Sequence, residues 1–313
     1  MYCIQKITVV DKQALFDLLG ECFNLPEKSV NQQLSWRYEA SSFLQKMIAF
    51  GAYTKEKQLV SFYANVPHQI VYKGKSKDVY LCLDIATKVG HRRQGLISQL
   101  SSCVYQQLDK NNLENISIGF SNKEGIRIDK NSRNYGYQIV GSFQTYIRPS
   151  RASKSQVNFK RQDLLEAGDV WPHTSFQIHK NSQYLKWRYL GKSHRNYNYY
   201  SVIHRNATVA QVVAIKKKNK VEIIDVIPLA EFDIEILLRS LPSLGNQLKR
   251  SFVTITVLKN RQWQELLGRC HYLPQPLSRQ KYYLTIRLNP NYRSEKTDIL
   301  SAENWLLFSG DIL

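Results

Sequence analysis

The sequence predicts an α/β protein of the α+β kind, in two domains, each a mixed, mostly antiparallel central sheet flanked by helices. Three observations predict it. Short apolar, strand-like runs are joined by polar turns, as at Lys55-Glu56-Lys57 and across residues 73–77. One such run, residues 81–87, leads through a basic, glycine-bearing loop into a helical pattern from Leu96 to Leu108. A short pattern, Leu34-Ser35-Trp36-Arg37-Tyr38, recurs 151 residues on as Leu185-Lys186-Trp187-Arg188-Tyr189, and the order of elements after it recurs as well. At 313 residues the chain has room for two domains of ordinary size.

The elements follow in order. Residues 2–10 alternate like a strand. Asp11 caps a helical pattern through Phe23, with Ala14, Leu15, Leu18 and Leu19 on one face. A second short helix is expected around residues 30–38. Residues 46–54 and 59–66 read as paired strands, and 70–72 and 80–87 as another antiparallel pair. After the helix come a short buried strand at 116–120, a polar stretch at 122–134 and a strand at 137–147. Pro149 and the polar run that follows read as a linker. The expected domains are 1–149 and 173–313, with 150–172 as linker. In the second half, strands at 197–204 and 208–217 meet at Arg205–Ala207. Ile223-Ile224-Asp225-Val226-Ile227-Pro228 echoes Cys82-Leu83-Asp84-Ile85-Ala86-Thr87. A helix from Phe232 to Leu241, stopped by Pro242, a strand at 252–258, a helix at 261–269 and a strand at 281–288 complete the series.

With 43% hydrophobic and 12% aromatic residues the chain can build real cores, which excludes a disordered composition. The five cysteines are scattered, with no Cys-x-x-Cys pair, so neither a disulfide framework nor a metal site is expected. The start lacks a signal-like apolar stretch, and no apolar run is long enough to span a membrane; a cytoplasmic protein is the expectation. The net charge is +19, with 19 Lys and Arg against 12 Asp and Glu in residues 1–150 and 25 against 13 in the rest. This excess is either a solvated basic face, densest at Lys216-Lys217-Lys218, or the mark of an anionic partner such as a nucleotide-linked substrate. It argues against polycationic acceptors such as polyamines. There is no helix-turn-helix, zinc finger or RNA-recognition signature, so nucleic acid is a secondary expectation that the charge alone keeps open.

The loop from Arg92 to Gly95 carries the chemistry. Backbone N–H groups at a helix start point at an anion, and the helix dipole favours it. Gly95 lets the backbone approach phosphates, and the arginines add charge-assisted donors. Arg92-Arg93-Gln94-Gly95-Leu96-Ile97 resembles the Q/R-x-x-G-x-G/A signature of the GNAT acyltransferases, departing from it at Ile97. The element order of residues 1–150 is similar to that family throughout. The resemblance implies acetyl-CoA as cosubstrate, with Arg92, Arg93, Gln94, Gly95, Leu96 and Ile97 at its pyrophosphate. It implies backbone groups of Ile85, Ala86 and Thr87 along the pantetheine, and Asn122 against the cofactor.

The same resemblance places Asp84 where a general base can stand, although a structural strand aspartate is the competing reading. A tyrosine general acid falls near Gly136-Tyr137, at Tyr135 or Tyr137, with Tyr135 out of the usual register. Trp36-Arg37-Tyr38 either lines the acceptor pocket or is core plus an ion pair. His91 abuts the loop and either touches a phosphate or faces solvent. In the second half Pro228-Leu229-Ala230-Glu231-Phe232 stands where the basic loop belongs, with an acid and neither glycine nor arginine. One working cofactor site, in the first half, is therefore expected. The C-terminal stretch either packs through Trp305, Leu306 and Phe308 or tucks Asp311 or its carboxylate into the acceptor site. The implied activity is acetyl transfer to the primary amine of a small acceptor. A nucleotide-linked amino sugar is indicated by similarity to GNAT members of surface-polysaccharide pathways. The alternatives are a tandem-GNAT, aminoacyl-tRNA-dependent peptidyltransferase and a non-catalytic acetyl-CoA-binding module.

Overall fold

The structure is a computed structural model that describes residues 1–39, 46–111, 114–126, 136–152, 156–168, 175–191, 195–276 and 281–312. Along the chain run β1 (Cys3–Lys6), α1 (Lys12–Cys22), α2 (Glu27–Leu34), β2 (Ile48–Tyr53), β3 (Leu59–Tyr72) and β4 (Lys75–Thr87). Then come α3 (Leu96–Asn111), β5 (Ile116–Ser121), β6 (Gln138–Pro149), β7 (Asn158–Gln162), β8 (Gln177–Ile178), β9 (Tyr197–His204) and β10 (Ala207–Lys216). The remainder is β11 (Lys220–Pro228), α4 (Ile234–Gln247), β12 (Phe252–Leu258), α5 (Arg261–Arg269), β13 (Leu273–Pro274) and β14 (Tyr283–Leu288).

The chain forms two compact units that are not consecutive stretches of sequence. The first holds Met1–Gln69, Lys77–Ile139 and Leu284–Lys296; the second holds Ile70–Ser76, Val140–Tyr283 and Thr297–Leu313. The division therefore differs from the expected 1–149 and 173–313. From Val140 on, β6 lies in the second unit, where it pairs with β12 from Phe252↔Pro149 to Leu258↔Phe143. In return, β14 follows β5 in the sheet of the first unit. Arg287 on β14 donates to both carboxylate oxygens of Asp109 on α3, at 3.0 and 2.5 Å, and Thr285 donates to the Gly119 carbonyl. A strand's own pattern does not say which sheet edge it joins, so this exchange is invisible in the sequence. The expected linker 150–172 also contains β7, which pairs antiparallel with β9.

In the first unit the strands run β1-β2-β3-β4-β5-β14. The β1–β2 and β2–β3 pairs are antiparallel, while β4 and β5 are parallel and joined by α3. Leu15, Phe16, Leu18 and Leu19 of α1 are buried, as their spacing predicts. Leu96, Leu100, Val104, Tyr105 and Leu108 of α3 pack on Ala52, Val60 and Tyr63. The first strand is shorter than expected because Asp11 turns back to accept from the Thr8 N–H at 2.9 Å and the chain winds into a helical turn. The runs 59–66 and 70–72 are one strand, β3. It turns into β4 over Lys73 and Gly74, both left-handed, which is the conformation a two-residue hairpin requires.

The second unit repeats the plan with strand order β6-β12-β11-β10-β9-β7. Here β11 and β12 are parallel and joined by α4. Arg205 and Asn206 are both left-handed in the β9–β10 turn. Val212, Val221, Ile223, Leu237, Leu241, Leu244, Val253, Ile255 and Leu267 form its core. Pro242 does not stop the helix, contrary to expectation; α4 carries it internally and continues to Gln247. Proline cannot supply the N–H that the Leu238 carbonyl needs one turn back. The Tyr272 hydroxyl supplies that bond at 3.1 Å, so the helix keeps going. Tyr272→Phe leaves the carbonyl buried without that donor and is expected to cost about 1–3 kcal/mol, measured as a lowered urea midpoint. An unchanged midpoint would remove this account of the helix.

Candidate active site

The basic loop has the geometry of an anion cradle. A helical turn, Val89–His91, leads into Arg92, whose Nε donates to the Thr87 carbonyl at 3.1 Å. Arg93 and Gly95 are both left-handed, with φ of 64° and 71°. Left-handed residues alternating with ordinary ones turn successive N–H groups to one side, the arrangement called a nest. Residues 92–95 are exposed, and nothing lies within 4 Å of the position a Gly95 Cβ would take. Leu96 then starts α3, buried at 3% exposure, and its partner Ile97 packs against the α3 core. The bulk of Ile97 is thus absorbed by the core, which explains how the chain departs from the family pattern there. His91 accepts from or donates to the Tyr2 hydroxyl through Nδ1 at 2.9 Å.

Beside this loop the two parallel strands part. They pair from Tyr80↔Ser117 to Cys82↔Gly119, but β4 runs on to Thr87 and β5 to Ser121. Ile85, Ala86 and Thr87 lie on the diverging stretch. Ser61 donates to the Ala86 carbonyl at 3.1 Å and shares a 2.8 Å bond with the Thr87 hydroxyl, which steadies this part of β4 from β3. No feature of the sequence marks Ser61 for that task. Asn122 ends the other branch, where its Oδ1 accepts from the Gly125 N–H at 2.8 Å and caps the next turn. Below the fork, Tyr63, Tyr105 and Tyr137 are chained hydroxyl to hydroxyl at 2.7 and 2.8 Å. Burial holds the Tyr63 and Tyr105 phenols well above their ordinary range, so they are permanent donors rather than acids. Tyr135 lies outside the described residues.

Asp84 adopts a left-handed conformation inside a strand, with φ of 50°. Such a position costs energy in a residue with a Cβ, and strained non-glycine residues cluster at functional sites. Its carboxylate is held from the segment after α2. Arg37 Nη1 donates to Oδ1 at 2.5 Å and the Tyr38 hydroxyl to Oδ2 at 2.7 Å. Ser35–Glu39 forms a π-helical turn, which sends Trp36 and Tyr38 into the core while Arg37 reaches the aspartate. Burial, with the Asp84 charge beside it, keeps the Tyr38 phenol neutral well beyond its ordinary value. Sequence reasoning picked out Asp84 and the Trp-Arg-Tyr triplet separately but did not join them. The signal that joins them is the second copy, where the same triplet and the same aspartate also meet.

In that copy Lys186–Leu190 is again a π-helical turn, and Tyr189 donates to Asp225 at 2.6 Å. At the corresponding place, residues 228–233 carry no basic, glycine-bearing loop. The N–H groups of Leu229 and Ala230 both go to the Val209 carbonyl, and the start of α4 is capped by the carboxylate of Asp233. Gly168 presses so closely on the Pro228 carbonyl that a Cβ there would sit 1.7 Å from its oxygen. The C-terminal segment packs within this unit: Trp305 is 1% exposed, and Asp311 lies beside Lys180 at 3.4 Å. Among the described residues, no group of three or more His, Cys, Asp or Glu could hold a metal ion, and no helix is long and apolar enough to cross a membrane.

A parallel strand pair that opens beside an anion-binding helix start, within a mixed sheet, defines the acyltransferase fold. Residues 4–140 match the family model described as Acetyltransferase (GNAT) domain. Three crystal structures are similar over both halves. One is a conserved Enterococcus faecalis protein described as a probable N-acyltransferase, 14% identical, with a TM-score of 0.71 over 94% of this chain and 74% of that one. The others are GCN5-related N-acetyltransferases. That of Anabaena variabilis is 12% identical, with a TM-score of 0.67 over 92% and 73% of the two chains. That of Kribbella flavida is 13% identical, with a TM-score of 0.63 over 92% and 71%. At these identities the likeness is one of fold. No curated protein matches the sequence significantly.

Proposed function

We propose that this chain is an acetyl-CoA-dependent N-acetyltransferase acting on the primary amine of a small acceptor, with a nucleotide-linked amino sugar as the acceptor class. One observation carries the reading: the exposed loop of Arg92–Gly95, with two left-handed residues, opens α3 beside the point where β4 and β5 part. The residues fit the donor. The nest and the two arginines suit a pyrophosphate, and the diverging stretch Ile85–Thr87 suits an extended pantetheine arm. Asn122, its oxygen spent on a cap, can still offer its Nδ2 donors there.

Acetyl-CoA supplies an acetyl group activated as a thioester. The chain's part is to hold both reactants in line, the largest contribution in a reaction of this type. A backbone N–H of β4 aimed at the thioester oxygen would act as an oxyanion hole. Asp84 takes the proton that the amine loses on attack. The leaving thiolate takes its proton from Tyr135 or Tyr137 or from solvent, the buried Tyr63 and Tyr105 phenols being poor acids. The second unit, whose helix start is capped by Asp233, carries no donor site in this reading, and the arrangement is a tandem with one working copy. The broad positive charge suits a nucleotide-linked acceptor. The test is thiol release from acetyl-CoA with a UDP-linked amino sugar, spermidine and a lysine peptide as acceptors. The amino-sugar nucleotide is expected to be favoured at least tenfold; preference for spermidine or the peptide would refute the acceptor class.

A further inference from the structure

Two aspartates hold equivalent places in the two units. Asp84 stands in β4 at a left-handed position, and Asp225 stands in β11 beside a bulge, where Val213↔Asp225 is followed by Ala214↔Ile223. Each accepts the hydroxyl of the tyrosine in its Trp-Arg-Tyr triplet, at 2.7 and 2.6 Å. The other carboxylate oxygen distinguishes them. On Asp84 it receives a guanidinium, Arg37 Nη1, at 2.5 Å. On Asp225 it receives a primary ammonium, Lys180 Nζ, also at 2.5 Å.

Arg188, the counterpart of Arg37, is meanwhile elsewhere. It donates to the carbonyls of Gly310 and Ile312 and to the Tyr197 hydroxyl. The second unit is thus the first unit's arrangement with an ammonium on the carboxylate and the arginine moved away. It is also sealed: the Lys180 and Asp225 side chains are 5% and 0% exposed, against 22% and 10% for Arg37 and Asp84.

We infer that Asp84 binds the acceptor as a primary ammonium and that Arg37 is the resident cation which the acceptor displaces. The inference rests on the acetyltransferase reading above and adds to it the form in which the acceptor is bound. A largely buried carboxylate in β4 with no cation beside it is costly, so Arg37 keeps Asp84 charged and oriented until a better-placed donor arrives. The second unit carries its own occupant, Lys180, and takes no acceptor.

The experiment uses the full chain, with calorimetry for acetyl-CoA and steady-state acetylation of D-glucosamine 6-phosphate, a UDP-linked amino sugar, ethanolamine and tryptamine. Asp84→Asn, which also removes the proposed base, is expected to lower kcat, to raise the amine KM at least tenfold on the residual activity, and to leave acetyl-CoA affinity within twofold. Arg37→Gln is expected to lower the amine KM or leave it unchanged, because it removes the competing cation. Equal impairment by the two variants overturns the inference, since a purely structural ion pair is broken alike from either side. Acetyl-CoA binding without acetylation of any primary amine overturns it too, and leaves the donor reading standing. Absence of acetyl-CoA binding by the wild type is the failure of the functional reading itself. Circular dichroism and melting of both variants identify any that does not fold; Asp84→Glu, which keeps the charge, then replaces the first and is expected to keep the amine KM within threefold, a tenfold rise overturning the inference.

Discussion

Lys180→Met is expected to destabilise the second unit by roughly 3–5 kcal/mol, the usual cost of removing one partner from a buried ion pair. Lys180 stands between Asp225 and Asp311, at 2.5 and 3.4 Å, and both carboxylate side chains are 0% exposed. Burial disfavours its ammonium, but the two aspartates outweigh burial and hold its pKa above the ordinary lysine value. Burial, opposed by Lys180 and reinforced by the Asp225 charge, pushes the Asp311 carboxyl up to about 6. Without the lysine, two carboxylates face each other out of water. Urea denaturation followed by tryptophan fluorescence measures the loss. A second variant, Lys180→Met with Asp225→Asn and Asp311→Asn, is expected to recover most of it. A single variant as stable as wild type would show that the cluster does not hold the C-terminal segment.

Gly95→Glu is expected to abolish acetyl-CoA binding while leaving the fold in place. At φ of 71° a residue with a Cβ costs roughly 1–2 kcal/mol, yet that Cβ would meet nothing within 4 Å. The defect is therefore one of charge and backbone path at the anion cradle. A ligand at a hundred times its Kd stabilises its protein by about 2.7 kcal/mol. Acetyl-CoA is accordingly expected to raise the melting temperature of the wild type by several degrees and that of Gly95→Glu not at all. The same shift in both proteins would move the donor site away from this loop.

Much of this was legible before the structure. The helices at 12–22 and 261–269 follow from apolar spacing, although the expected cap Asp11 spends its carboxylate on Thr8 and Tyr53 instead, and the Arg92–Gly95 loop follows from a strand, a glycine and two arginines ahead of a helix. What escaped has identifiable physical causes. Pro242 reads as a stop because the rescue by Tyr272 comes from thirty residues away and leaves no local mark. The exchange of β6 and β14 depends on which sheet edge each strand meets, and alternation along a strand carries no such information. The Arg37–Asp84 pair joins residues 47 apart. What does recur is the neighbouring contact, Tyr38 on Asp84 and Tyr189 on Asp225, whereas Arg188 turns away from Asp225 and the arginine pair has no second instance. The absence of arginine and glycine at 228–232 is the sequence feature behind reading the second half as a copy without the loop. That its helix start is capped by Asp233, and that Gly168 presses on the Pro228 carbonyl, needed coordinates.

The central claim is that the loop of the first unit holds acetyl-CoA, and its most direct test is a calorimetric titration of acetyl-CoA into the wild-type chain. The account predicts saturable binding of one equivalent per chain with a Kd on the order of micromolar, equivalent to about −8 kcal/mol. Two equivalents would contradict the view that only one copy works, and no binding at all would contradict the assignment of the site.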